Sequence, residues 1–178
     1  MAVGILGLTM ALGFSGCQSE NQKNQDAYRK IGINSMAEGD YDKAVKSFQK
    51  ALDTSLGKIG AEEIDICYYK AAAQFAKKDY DGAIETYTSL IDYDKENANA
   101  YYLRGSVYLD TDKKDKAFKD YKNAVKYAGR EYEIYEGIYE NLTNKGETEE
   151  AKNYLKKALD IKPKDGADYA EQGHAVSY

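Results

Sequence analysis

Gly39-Asp40-Tyr41-Asp42-Lys43-Ala44-Val45-Lys46-Ser47-Phe48-Gln49-Lys50-Ala51-Leu52 is the stretch whose reading decides the fold. Gly39 is suited to stop one helix, and Asp40 is suited to cap the start of the next. Ala44, Phe48 and Ala51 follow at steps of four and three, so one small, one aromatic and one small side chain share a helix face. The same frame returns at Lys78-Asp79-Tyr80-Asp81-Gly82-Ala83 with Tyr87 and Leu90, and at Asp112-Lys113-Lys114 with Ala117, Tyr121 and Ala124. It returns again at Gly146-Glu147-Thr148 with Ala151, Leu155 and Ala158. Ala83, Ala117 and Ala151 are spaced by 34 residues, and Ala44 lies 39 before Ala83. A second series (Gly32, Ala71, Gly105, Tyr139, Gly173) keeps the same steps.

This pattern resembles the tetratricopeptide repeat, a helix-turn-helix unit of about 34 residues. The resemblance covers 26–178 and predicts an all-α solenoid of antiparallel helix pairs. Four repeats are expected over about 25–58, 64–97, 98–131 and 132–165, with a terminal helix over 166–178. The family implies a right-handed superhelix in which the first helix of each pair (helix A) lines a concave groove for partner proteins or peptides. Small residues at Gly32, Ala44 and Ala51 let the two helices of a repeat approach closely, and Phe48 fills the space between repeats. Thr54 to Ala61 holds five extra residues, with Gly57 and Gly60 breaking the helical pattern. Either a longer loop or a second helix extended by a turn is expected there. Tyr139 departs from the pattern where a small residue belongs, so the fourth pair is expected to splay or shift. Pro163 sits where the family ends its repeat, and Tyr169 and Gly173 keep register in the terminal helix, which would cover the last apolar face.

Composition agrees with a helical array. One proline in 178 residues, 43% apolar and 31% charged residues suit a folded helical domain. A net charge of -5 argues against nucleic acid as partner, since phosphate binding needs a basic face. The 18 tyrosines, with no tryptophan, read as structural: a phenol packs its ring while keeping its hydroxyl wet.

Ahead of the repeats, Ala2 to Phe14 is apolar and Met1 to Gly16 carries no charged side chain. That run is shorter than the ~20 residues of a spanning helix but matches the core of a secretory signal. Phe14-Ser15-Gly16-Cys17 resembles a bacterial lipobox, which implies a signal peptide over 1–17, lipidation (palmitate among the acyl groups) of Cys17, and a membrane-anchored, extracytoplasmic protein. Phe14 stands where leucine is usual, and the basic start is missing, as expected if Met1 is internal to a longer precursor. The competing reading is a buried N-terminal helix with an ordinary core cysteine. Residues 18–25, polar throughout, read as a flexible tether. Cys67 reads as a free buried thiol, so no disulfide is expected.

Enzymatic motifs are nearly absent. His174 is the only histidine, so one chain assembles neither a His-based metal site nor a Ser-His-Asp triad. P-loop and dinucleotide glycine patterns do not occur. No cofactor or metal is expected, and the chain reads as a non-enzyme. The sequon at Asn141 falls within an expected helix, and the lysines from Lys113 to Lys126 read as a solvated face.

The family's inward-facing positions carry over onto Arg29 and Ile33 in the first repeat and Tyr68 and Phe75 in the second. In the third they fall on Asn99, Tyr102 and Leu109, and in the fourth on Glu133, Glu136 and Glu140. The chaperone-binding members carry a carboxylate clamp of Lys and Asn; the matching positions here hold Arg29 and Ile33, Tyr69, then Asn99 and Leu103. The clamp is missing. The expected function is a membrane-tethered scaffold binding a protein or peptide. The alternative is a surface lipoprotein capturing a peptide or glycan.

Overall fold

A computed structural model describes residues 19–161. The readings on 1–17 and 166–178, with Cys17, Pro163 and His174, lie outside them. Eight helices follow in order: α1 (Glu20–Ala37), α2 (Tyr41–Thr54), α3 (Ala61–Ala76), α4 (Tyr80–Tyr93), α5 (Ala98–Asp110), α6 (Lys114–Ala128), α7 (Tyr132–Asn144) and α8 (Thr148–Asp160). Each packs on the next, and α1 also touches α3 as α5 touches α7. The odd-numbered helices thus approach one another on one side, the geometry of a solenoid whose helices A form the inner face.

The turn inside each pair is the same object four times. Gly39, Lys78, Asp112 and Gly146 all have positive φ, of 77°, 67°, 57° and 79°. In each turn the next residue's N–H reaches back five positions: Asp40 to Ser35, Asp79 to Gln74, Lys113 to Tyr108 and Glu147 to Leu142, at 2.8 to 2.9 Å. This is the 6→1 bond of a Schellman stop. Asp40 and Asp79 then cap the following helix, their side chains accepting from the Lys43 and Gly82 N–H groups. Lys113 and Glu147 supply no such bond, so the first two turns are fixed from both sides and the last two from one.

The close approach within each pair depends on small residues. A Cβ on Gly32 would lie 2.6 to 2.8 Å from the Phe48 ring, and one on Gly105 would lie 2.9 Å from Tyr121. Ala44, Ala83, Ala117, Ala124 and Ala151 are fully buried, which fixes the register read from the sequence. In the fourth repeat Tyr139 replaces the small residue and packs, partly buried, against the core cluster that holds Tyr121 and Ile138. Leu155 is then only half-buried, whereas Phe48, Tyr87 and Tyr121 are 0 to 3% exposed.

One expectation needs correction, and one open alternative is decided in favour of the loop. Residues from Glu20 to Gln25 are not a tether but the opening turns of α1. The Ser19 side chain accepts from the Gln22 N–H, and Gln25, 5% exposed, donates to the Glu63 carboxylate on α3 at 2.8 Å. The five extra residues form a loop between α2 and α3, with no extension of α2 beyond Thr54. Among the described residues no helix is long and apolar enough to cross a membrane.

Candidate partner-binding face

The inner face begins with charge contacts between α1 and α3. The Arg29 guanidinium donates to Asp65, its Nε at 2.9 Å from Oδ2, and lies 5.2 Å from the Tyr69 ring centroid. The hydrogen bond to Asp65 raises the Arg29 pKa. Glu62 beside it is pushed above the usual carboxylate range, first by its hydrogen bond with the Asp26 carboxyl and then by burial. Burial works against the neighbouring Glu63 carboxylate. The hydrogen bonds from Gln25 and the Gly60 N–H outweigh it and hold that pKa low. Ile33 packs against the first core cluster.

In the middle of the face the expected aromatic lining is largely spent on the fold. The Tyr68 hydroxyl donates to Asn97 Oδ1 at 2.6 Å, and the same oxygen accepts the Ala100 N–H that starts α5. Burial raises the Tyr68 pKa. Phe75 packs on Tyr80 with ring centroids 5.6 Å apart. Tyr102 reaches from α5 to α7: a Cβ on Gly137 would come within 2.2 Å of its hydroxyl, so a larger residue there would make the Tyr102 ring shift. Asn141 binds the assembly together. Its Nδ2 donates to Ser106 Oγ at 2.8 Å and to the Tyr121 hydroxyl at 3.4 Å. Burial pushes the Tyr121 pKa up to about 12, so the phenol stays neutral.

Leu109 is not a groove residue. It is 2% exposed and belongs to the core around Tyr121 and Leu142, because the end of α5 is covered by the following repeat. Asn99 is exposed. Glu133 and Glu140 are exposed and Glu136 is half-buried; no cation pairs with any of the three among the described residues. α7 carries no lysine or arginine at all. Among the described residues, then, the acidic row forms no ion pair, while Arg29, Tyr68 and Tyr102 are engaged. Cys67 is free but half-buried rather than buried, and burial raises its pKa. No group of three His, Cys, Asp or Glu that could hold a metal occurs among the described residues.

One internal feature was missed by the sequence reading. Arg104 on α5 forms a two-pronged pair with Asp120 on α6, Nε to Oδ2 at 2.7 Å and Nη2 to Oδ1 at 2.9 Å. Its Nη1 donates to Thr88 on α4 at 2.9 Å. The side chains are 15% and 4% exposed. A signal existed: one period later the same positions hold Ile138 and Tyr154, so two opposite charges stood in core register.

Family profiles described as tetratricopeptide repeat match residues 29–87 and, separately, 98–130 with 140–165; a third, described as TPR repeat, matches 71–112. Among solved structures, a crystal structure of MamA is similar at 24% identity with a TM-score of 0.61, covering 85% of this chain and 81% of that one. MamA 41-end from Desulfovibrio magneticus RS-1 is similar at 20% identity and TM-score 0.62, covering 89% and 80%. The Arabidopsis OM64 TPR domain is similar at 17% identity and TM-score 0.57, covering 70% and 98%. No curated protein matches the chain at a significant level. At these identities the structural likenesses speak for the fold. Together with the profiles, which in sum span most of the chain, and with the four identical turns, they establish that the chain belongs to the tetratricopeptide-repeat family.

Proposed function

We propose that the chain is a membrane-tethered interaction scaffold that binds a basic segment of a partner protein or peptide along its inner face. The observation that carries this reading is the row Glu133, Glu136 and Glu140 on α7. These residues stand three and four apart and share one helix face, yet among the described residues none forms an ion pair, on a helix that holds no lysine or arginine. Like charges at this spacing cost a helix a few tenths of a kcal/mol each, which a partner's Lys or Arg would reverse. Such contacts steer association and weaken with salt. The tether rests on Phe14-Ser15-Gly16-Cys17 after an apolar run: acyl chains on Cys17 would hold the repeats at a bilayer, at ~0.8 kcal/mol per buried methylene.

The two parts are tested separately. A partner cross-linked to the protein in native membranes and then purified should lose affinity for Glu136→Lys with Glu140→Lys, with the larger loss at low ionic strength. Unchanged binding in low-salt calorimetry would make the row mere surface. Cys17→Ser should accumulate as uncleaved precursor or appear in the soluble fraction. Processing and membrane association identical to wild type would refute the lipid anchor.

A further inference from the structure

The five extra residues between the first two repeats build a feature that the other junctions lack. Leu52, Ile59, Ile64, Cys67, Leu90 and Tyr93 line a cavity of about 230 Å³ between the α2–α3 loop and the end of α4. Around it stand the three most exposed large apolar side chains of the described residues: Leu56 at 75%, Ile59 at 58% and Tyr93 at 55%. Leu56 lies between the lining residues Ser55 and Gly57 and does not itself line the cavity. Its φ of 53° places a leucine in the left-handed region, which L side chains disfavour. A strained backbone thus presents an apolar knob to water beside an apolar hole.

We infer that this patch is a self-association surface in which Leu56 of one copy enters the cavity of a second copy, and the reverse. A two-fold interface uses the same patch on both partners, so that patch must carry both knob and hole. This one does, within a few residues. The charges agree as well. A patch of one sign would repel its own copy, whereas the two charged side chains lining this cavity are Lys58 and Glu63, close enough that Lys58 lowers the Glu63 pKa. The balance favours a twin over a strongly charged partner. Three exposed side chains make a patch of the few-hundred-Å² class, below the ~800 Å² per partner of a standard interface. The pairing is therefore weak and set by concentration, as suits a protein whose copies are concentrated on one surface.

Cys67 lines the cavity and reports its occupancy. In the full chain carrying Cys17→Ser it is the sole remaining thiol, since the sequence has two cysteines. At one fixed detergent concentration, protein is raised from about 10 μM to about 1 mM, the range in which weak pairs form. Sedimentation equilibrium should pass from the mass of one chain toward two, and N-ethylmaleimide should label Cys67 several-fold more slowly at the high end. Leu56→Glu should stay monomeric and keep the fast labelling rate. So should Leu56→Gly, which removes the knob while relieving the backbone. The inference is overturned by a monomer at all concentrations. It is overturned equally by a dimer that leaves Cys67 labelling unchanged, by labelling slow at every concentration, or by Leu56 variants that pair like the parent.

Discussion

Asp120→Asn removes the charge that answers Arg104 while keeping the shape of the side chain. Arg104 would be left with a side chain 15% exposed, one hydrogen bond to Thr88, and the faces of Tyr101 and Tyr108 at 5.7 and 5.9 Å from its guanidinium carbon. Breaking one side of a buried pair costs ~3–5 kcal/mol because the surviving charge is uncompensated. The two flanking rings offset part of this, at ~0.5–2 kcal/mol for cation–π contacts, so the lower end, about 3 kcal/mol, is expected. That is a large share of the ~5–15 kcal/mol that holds a domain together. The companion variant takes its residues from the fourth repeat: Arg104→Ile with Asp120→Tyr reproduces Ile138 and Tyr154 one period earlier. Replacing a buried ion pair with packed apolar groups is neutral or stabilising by up to ~4 kcal/mol, so the double variant should be at least as stable as the parent. Urea unfolding followed by far-UV circular dichroism reads both, and the singles Arg104→Ile and Asp120→Tyr close the mutant cycle. A loss below about 1 kcal/mol for Asp120→Asn would refute the reasoning. So would a double variant as unstable as the single one.

Ala117→Leu forces a side chain into the fully buried contact between α5 and α6 and should cost ~1–3 kcal/mol in thermal unfolding; a neutral result would mean the junction is looser than its distances. Lys78→Gly relieves a lysine at φ 67° in a turn where two of the four repeats already use glycine. It should raise the urea midpoint by an equivalent of ~0.5–1 kcal/mol, and a lowered midpoint would reject the account of the shared turn.

The inner face shows how far linear order could reach. Period and small-residue spacing determined the eight described helices, their pairing and the burial of Gly105, Ala117 and Ala124, because a helix face is a local property of residue spacing. Leu109 obeyed the same spacing and still ended inside, since its exposure depends on how far the following repeat overhangs the end of α5. Tyr68 and Tyr102 were legible as aromatic and inward. That Tyr68 is held by Asn97 and that Tyr102 reaches Gly137 depends on contacts between helices 29 to 35 residues apart.

What the sequence by itself determined is the repeat: where each pair turns, which small residues let it close, and that a lipobox-like segment precedes the array. Only the tertiary structure decided which polar groups were left over. Gln25 and Arg29 read as parts of a tether and a groove until α3 brought Glu63 and Asp65 against them. Arg104 and Asp120 were not singled out by the sequence reading, and packing encloses them together. Hydrogen bonds and ion pairs between repeats depend on side-chain reach across a helix–helix gap, a distance that periodicity does not encode. The carboxylates of α7, in no ion pair among the described residues, and the open cavity beside Leu56 are what remains once those bonds are made.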